Sequence, residues 1–236
     1  METFKEFSDR INSFQKKELN LGGNDFIVSP SVAHKVNADN TFKDFYGDTV
    51  VFDLDDDVKA ELTEYTDLLY STVPQCFCDR LIPHTFHMTL HDLSNSPILS
   101  EVAEQVFLNE LKILQIKSEL KKLKHAKITL KSTYVFNMVN TSLVLGLCPA
   151  TENDYNAIME LYSIIDGVKK LPYPFTPHIT LAYYNANGFS ASAAKSLENI
   201  VNKINSKINM KLSLTDLYYQ KFTSMNNYVD IINLLK

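Results

Sequence analysis

The chain has few cysteines, no long hydrophobic run and no excess of positive charge, and each absence argues against a class of protein. Two of its three cysteines, Cys76 and Cys78, are too close in sequence for an ordinary disulfide, so we expect a reduced, cytoplasmic protein. No stretch approaches the roughly 18 to 20 consecutive apolar residues of a membrane-spanning helix. The first residues, Met1 to Glu6, lack the basic start and apolar run of a signal peptide. We therefore expect no membrane partner.

The formal net charge of −5 argues against binding of long duplex nucleic acid, which requires many basic contacts to phosphates. It is compatible with a small phosphorylated ligand that a few local groups bind. The length of 236 residues and the hydrophobic content of 45% fit one large domain, or two small lobes that fold as a unit. A monomer is the favoured oligomeric state.

Hydrophobic periodicity predicts alternating strands and helices, and therefore an α+β protein. Residues 1–46 are an N-terminal extension, with a helix predicted over 3–18 and an irregular segment after the break at Gly22-Gly23. Residues 47–236 form the main body. Its predicted elements are strand 48–54, helix 56–71, strand 85–90, a turn at 94–97, helix 98–123, strands 126–138 and 140–148, helix 152–168 capped by Thr151, strand 177–184, helix 190–207 and strands 209–222 and 226–235.

Two motifs of the same form stand out, each within a β-prone run: His-Met-Thr-Leu at 87–90 and His-Ile-Thr-Leu at 178–181. The second starts 91 positions after the first, about half the main body, which suggests a weak internal duplication. Residues two apart in a strand share a face, so each histidine is expected beside its threonine. Each strand would pack its apolar face into a core and present an imidazole and a hydroxyl to an open side.

This pattern suits cleavage of a phosphodiester, which needs one group to accept a proton from the attacking oxygen and another to protonate the leaving oxygen. Histidine performs either role near neutral pH because its ordinary pKa is about 6.5. We expect His87 and His178 to be the catalytic acid and base on opposite sides of one phosphate. The hydroxyls of Thr89 and Thr180 would bind its non-bridging oxygens. The sequence does not say which histidine is the base.

Four residues near the motifs are candidate substrate-binding groups. By alternation, His91 shares the face of the first histidine and Tyr184 that of the second, while Tyr173 and Phe175 come shortly before the second motif. Aromatic rings beside a phosphate site can stack on a nucleotide base, although core packing is the alternative for Tyr184. His91 could instead extend a metal-binding arm, but no cysteine or carboxylate accompanies it at ligand spacing, so no metal is expected.

The paired His-x-Thr-Leu strands, with Phe175-Thr176-Pro177 leading into the second, resemble the 2H phosphoesterase superfamily, which includes bacterial RNA 2′,5′-ligase-like cyclic phosphodiesterases. The resemblance covers roughly residues 46–236. It implies a bilobal α+β fold, in which two antiparallel sheets are related by pseudo-twofold symmetry, with the helices outside and a cleft between the lobes. It also implies cleavage of nucleotide phosphodiesters that involve a 2′-oxygen, without metal or cofactor. The expected partner is a small nucleotide or RNA end, and ligation is the reverse direction of the same chemistry.

Two other functions stay open. The same cleft could hold a nucleotide without catalysis, as a binding module. Alternatively, Asp53-Leu54-Asp55 after a buried strand resembles the first motif of the magnesium-dependent haloacid-dehalogenase-type phosphatases. That motif normally continues with Thr or Val, whereas Asp56 and Asp57 follow here. An acidic first turn of a helix accounts for these residues as well.

Overall fold

The computed structural model describes residues 2–16, 24–123 and 127–236, over which it shows five α-helices and eight β-strands. The predicted break at Gly22-Gly23 lies outside the described residues. In chain order the elements are α1 (Phe4–Ser13), β1 (Tyr46–Asp53), α2 (Asp56–Thr72), β2 (His87–Ser96), α3 (Leu99–Leu120), β3 (Ile128–Met138), β4 (Ser142–Pro149), α4 (Glu152–Asp166), β5 (His178–Tyr183), α5 (Ala191–Asn205), β6 (Lys211–Leu214), β7 (Leu217–Ser224) and β8 (Asn227–Asn233).

The helices begin at local capping signals. At the start of α1, the Thr3 hydroxyl accepts the backbone N–H of Glu6 and the Glu6 carboxylate accepts that of Thr3, which is a capping box. Thr151, the predicted cap of α4, accepts the N–H of Asp154. All five predicted helices are present, although α1 ends earlier than predicted, in a short 3₁₀ helix. None of the helices within the described residues is both long and apolar enough to cross a membrane.

The strands form two four-stranded antiparallel sheets, one in each lobe. Lobe 1 has the order β2-β1-β7-β8 and lobe 2 the order β5-β4-β3-β6. In each lobe a histidine-bearing strand, β2 or β5, lies at one edge of the sheet. It pairs with the preceding strand in the chain, from which one α-helix separates it. The predicted bilobal α+β fold with two related antiparallel sheets is confirmed. The edge strands β2 and β5 contact each other where the lobes meet.

The closing segment differs from the prediction. The single strand expected over 209–222 is two strands, because the chain leaves lobe 2 after β6, which pairs with β3, and enters lobe 1 as β7, which pairs with β1. The buried positions change parity between Leu214 and Leu217, which is where the chain crosses. The turn predicted at 94–97 is also later than expected, since β2 continues to Ser96.

The segment that precedes β1 packs against both lobes. Phe7 and Ile11 of α1 belong to the same hydrophobic core as residues of the two sheets. Further along, Phe26 forms an antiparallel bridge to Phe189, just before α5. The N-terminal segment therefore contributes to the core, and the domain boundary at residue 46 stays a prediction.

Candidate active site

A cavity of about 610 Å³ lies beside the edge strands β2 and β5 and is lined by residues of both lobes. The side chains of His87, Thr89, His178 and Thr180 all line it. Each pair comes from the first three residues of its strand. The fold thus brings the four predicted groups from two distant stretches of sequence to one cavity.

The two histidines are held in the same way. Nδ1 of His87 donates to the carbonyl of Thr85 (2.8 Å), and Nδ1 of His178 donates to the carbonyl of Thr176 (2.7 Å). Because a carbonyl only accepts, Nδ1 carries the hydrogen in each neutral ring. Nε2 is then the atom that accepts a proton.

Burial lowers the pKa of both histidines. Desolvation lowers the pKa of His87 to about 4 and lowers the pKa of His178 below its ordinary value. The two backbone carbonyls and the Asp92 carboxylate act in the opposite direction on these pKa values. A positive charge on His178 would lower the pKa of His87 further. Both rings are therefore neutral at pH 7, and they are close enough for protonation of one to oppose protonation of the other.

A β-bulge after the first histidine–threonine pair interrupts the alternation of β2. The partners of Thr89 and His91 in β1 are consecutive residues, so Leu90 is an extra residue in β2. Beyond the bulge the faces are exchanged, so that His91 lies in the core and Asp92 lines the cavity. The predicted placement of His91 on the cavity face is wrong.

A bulge recurs at the equivalent position of β5. The partners of Thr180 and Ala182 in β4 are consecutive residues, so Leu181 is the extra one. Tyr183 therefore lines the cavity and Tyr184 is buried, which is the reverse of the prediction. Bulges are common beside active sites, where they redirect side chains.

His91 uses both ring nitrogens in the core. Its Nδ1 donates to the carbonyl of Asp92 (2.7 Å), its Nε2 lies 3.3 Å from Oδ1 of Asp166, and its ring packs against Tyr162. His91 therefore connects β2 to α4 and is not placed to bind substrate or metal.

Tyr184 is a core residue, which was the alternative to stacking on a base. Its ring is fully buried and contacts the rings of Phe26, Phe77 and Phe189. It is not placed to contact a ligand in the cavity.

Tyr173 and Phe175 both line the cavity. The Tyr173 hydroxyl donates to Oδ2 of Asp92 (3.2 Å), and the ring of Phe175 packs on that of Tyr162 (centroids 5.0 Å apart). These two residues remain candidates for substrate contact.

The sequence analysis did not foresee several other cavity residues, among them Asp92, Tyr183, Lys35 and Tyr228. Tyr228 of β8 packs edge-on against the His87 ring, with centroids 5.0 Å apart. Asp92 and Tyr183 lie close to the motifs in sequence. Their place at the cavity could have been predicted if the two bulges had been foreseen. Lys35 and Tyr228 are far from both motifs in sequence, and no local signal relates them to the site.

Helix α1 supports the segment that leads into β5. Nη1 of Arg10 donates to Oγ1 of Thr176 (3.2 Å) and Nη2 donates to the carbonyl of Phe175 (2.9 Å). The guanidinium also forms an ion pair with Glu2 (2.8 Å). Because the Thr176 carbonyl orients His178, the N-terminal helix is connected to that histidine through a single intervening residue.

The acidic run after β1 begins helix α2. Asp53 accepts a hydrogen bond from Nζ of Lys59 (2.7 Å), Asp55 is at the N-cap position, and Asp56 and Asp57 form the first turn. Neither Asp53 nor Asp55 lines the cavity. Across the described ranges, no group of three or more His, Cys, Asp or Glu side chains is arranged to hold a metal ion.

Comparison with known proteins gives the fold an independent reference. No family model and no curated protein matches the sequence. Among solved structures, the chain is similar to a conserved protein of unknown function from Agrobacterium tumefaciens (TM-score 0.72, 12% identity, 92% of this chain and 97% of that one). It is also similar to a Thermus thermophilus protein, TT0787 (TM-score 0.52, 15% identity, 80% of this chain and 97% of that one). A further similar structure is Escherichia coli LigT complexed with NADP+ (TM-score 0.50, 13% identity, 81% of this chain and 99% of that one). LigT is a 2H phosphoesterase, so the chain has the 2H phosphoesterase fold that the paired motifs predicted.

Proposed function

We propose that the chain is a phosphodiesterase that acts on nucleotide phosphodiesters involving a 2′-oxygen: 2′,3′-cyclic phosphates, RNA ends or 2′,5′-oligonucleotides. The observation that carries the proposal is the matched placement of His87 with Thr89 and of His178 with Thr180 at one cavity. The fold shared with LigT, whose structure with NADP+ holds a nucleotide, supports a nucleotide ligand.

Hydrolysis of a 2′,3′-cyclic phosphate would use the two rings together. A water oxygen forms a bond to phosphorus while the bond from phosphorus to one ribose oxygen breaks. Nε2 of one histidine takes the proton of the water, and the protonated Nε2 of the other histidine gives its proton to the departing ribose oxygen. The hydroxyls of Thr89 and Thr180 donate to the non-bridging oxygens, where negative charge grows in the transition state. Exchange with solvent then restores the starting protonation.

The cavity has the size and the walls that a nucleotide needs. Its volume of about 610 Å³ is within the roughly 300 to 1,000 Å³ of small-molecule sites. The rings of Phe45, Tyr173, Tyr183 and Tyr228 line it, and aromatic faces bind nucleobases by stacking. These rings are the groups we propose for binding the base.

We place this activity in the cytoplasm, in a monomer and without a metal ion. Cys76, Cys78 and Cys148 are free, as expected in a reducing compartment. The catalytic groups proposed above move the protons without help from a cofactor.

The main test is turnover by chelator-treated protein on a panel of 2′,3′-cyclic mononucleotides and 2′,5′-linked dinucleotides. His87→Ala and His178→Ala should each lower kcat by about 10²- to 10⁴-fold, because each removes one positioned acid or base. His34→Ala, which removes an exposed histidine, is the matched control and should retain activity. Product analysis for a 2′- or 3′-phosphate identifies the bond that is cut.

Other outcomes of the same assay would favour the alternatives. Near-normal turnover by either purified histidine variant would overturn the site assignment. Binding of 2′-AMP or 3′-AMP by a wild-type protein that turns over nothing in the panel would favour a nucleotide-binding module. Loss of activity with the chelator and in Asp53→Asn would favour the magnesium-dependent phosphatase.

The pH dependence should reflect the lowered pKa values. Catalysis needs one neutral and one protonated histidine, whereas both are neutral at pH 7 in the free protein. We expect kcat/KM to be highest below pH 6.5 and to fall about tenfold per pH unit above its optimum. A bound phosphate raises both histidine pKa values, because a negative charge favours imidazolium, so the kcat optimum should lie at a higher pH. Steady-state rates from pH 4 to 9 measure both profiles, and a kcat/KM optimum above pH 7.5 would contradict this assignment.

A further inference from the structure

The cavity is poor in positive charge for a site that accepts a phosphodiester. Its two histidines are neutral at pH 7, its threonines are uncharged, and the carboxylate of Asp92 adds a negative charge. A bound phosphodiester brings a further negative charge, which increases on the non-bridging oxygens as the transition state forms. Within the described residues, Lys35 is the only lysine or arginine that lines the cavity.

Lys35 comes from the N-terminal segment, and its backbone is well fixed. It follows the 3₁₀ helix Pro30–His34, and its N–H donates to the carbonyl of Val32 (2.9 Å). Its own carbonyl accepts the N–H of Lys43 (2.8 Å). These bonds hold the start of the Lys35 side chain beside the cavity.

The ammonium group of Lys35 lies against aromatic faces and has no acidic partner. Its Nζ is 5.2 Å from the ring centroid of Phe45 and 5.0 Å from that of Tyr183, both of which line the cavity. Across the described ranges, no carboxylate lies within ion-pair distance of this Nζ. The rings orient the flexible side chain by cation–π contact while its charge stays uncompensated. The positive charge of Lys35 is close enough to His178 to lower the pKa of that histidine.

We propose that Lys35 binds the phosphate group of the substrate and offsets the negative charge that develops on it, so that the segment before β1 completes the site. This inference rests on the proposed function and extends it to a residue outside both motifs. The neutral hydroxyls of Thr89 and Thr180 can orient a phosphate, but a charged donor makes hydrogen bonds about twice as strong. A purely structural Lys35 would only pack the segment 24–46 onto Tyr183 of β5.

The test measures binding of inorganic phosphate by calorimetry and turnover of a 2′,3′-cyclic mononucleotide. Lys35→Met keeps much of the apolar stem and removes the charge, Lys35→Arg keeps the charge, and Lys195→Met removes an exposed lysine of α5 as a control for net charge. We expect Lys35→Met to weaken phosphate binding at least tenfold and to lower kcat at least tenfold, with a smaller change in KM. Lys35→Arg should stay within about threefold of wild type, and Lys195→Met should match wild type.

Each other outcome has a defined meaning. If Lys35→Met binds phosphate and turns over like wild type, or if Lys35→Arg is as impaired as Lys35→Met, the charge is not what matters and the inference fails while the proposed function stands. If wild type does not bind phosphate, the inference fails; if it also turns over no substrate of the panel, the proposed function fails with it. Melting temperatures check that the variants are folded. If Lys35→Met does not fold, phosphate binding and turnover are measured on Lys35→Gln instead.

Discussion

At the scale of single residues, two fully buried tyrosines differ in what their hydroxyls contact. Across the described ranges, the Tyr184 hydroxyl has no hydrogen-bond partner, although its ring is packed among other aromatic rings. The Tyr219 hydroxyl donates to Oδ2 of Asp48 (3.0 Å) and also lies 3.3 Å from the carbonyl of Val106. A buried polar group without a partner costs stability, whereas one bonded to a carboxylate contributes to it.

We therefore predict opposite effects for the same chemical change. Tyr184→Phe should raise the free energy of unfolding by up to about 1 kcal/mol, because it removes only an unsatisfied hydroxyl. Tyr219→Phe should lower it by about 1 to 3 kcal/mol, because it leaves Asp48 short of a donor. Urea unfolding of both variants measures the difference. Equal destabilisation by the two changes would mean that the Tyr184 hydroxyl has a partner in solution.

At the scale of elements, helix α1 and strand β5 are coupled through Arg10. Its guanidinium binds the Phe175 carbonyl and the Thr176 hydroxyl, and the Thr176 carbonyl orients His178. A shift of this segment would move the ring at a site where small displacements are costly to catalysis. We regard Arg10 as a positioning residue, since it does not line the cavity.

Arg10→Met should lower kcat/KM by about ten- to a hundredfold while the protein stays folded. Because the hydrogen bond at Nδ1 of His178 raises the pKa of that ring, loosening it should also shift the pH profile to lower pH. Lys5→Met, which removes an exposed ion pair with Asp9 on the same helix, is the matched control. A lower rate with an unchanged pH profile would point to a general loss of stability instead.

At the scale of the whole molecule, the buried Asp48 and the partly buried His87 make stability depend on pH in opposite directions. The pKa of His87 falls to about 4 in the folded protein from an ordinary value of 6.5, so acid favours the unfolded chain between those values. Burial raises the pKa of Asp48 from 3.8 to about 6, although the hydrogen bonds that its carboxylate accepts act to lower it. The folded protein therefore gains stability as the pH falls from 6 to 3.8. The two effects oppose each other, and the lowered pKa of His178 acts in the same direction as that of His87.

Removing the Asp48 carboxylate should reveal the loss of stability in acid that His87 causes. We expect Asp48→Asn to lose stability more steeply than wild type between pH 6.5 and 4, by roughly 3 kcal/mol over the interval. Asp9→Asn, which changes an exposed carboxylate, should follow the wild-type curve. Urea unfolding at pH 6.5, 5 and 4 gives the free energy of unfolding at each pH. The quantity to compare is its change with pH, not its absolute value. Parallel curves for Asp48→Asn and wild type would show that Asp48 is ionised throughout.

Much of the fold and part of the candidate site could be predicted because they depend on local patterns. Helix periodicity and caps such as Thr151 act within a few residues, and the strand position of each His-x-Thr pair needs only the first three residues of its strand. The predicted alternation of side chains between the two faces fails at the fourth residue of both strands. A bulge there shifts the register with the neighbouring strand by one residue. His91 and Tyr184 were misplaced for that reason.

The amino-acid sequence by itself determined the five helices and most of the strands, and it identified two imidazole–hydroxyl pairs, because these properties follow from side chains a few positions apart. Only the tertiary structure decided that the two pairs line one cavity, that Asp92 and Tyr183 line it next to them, and that Lys35 reaches it from the N-terminal segment. Such placements depend on how distant strands pair and how the lobes pack, and each is a sum of many contacts that no short stretch of sequence contains.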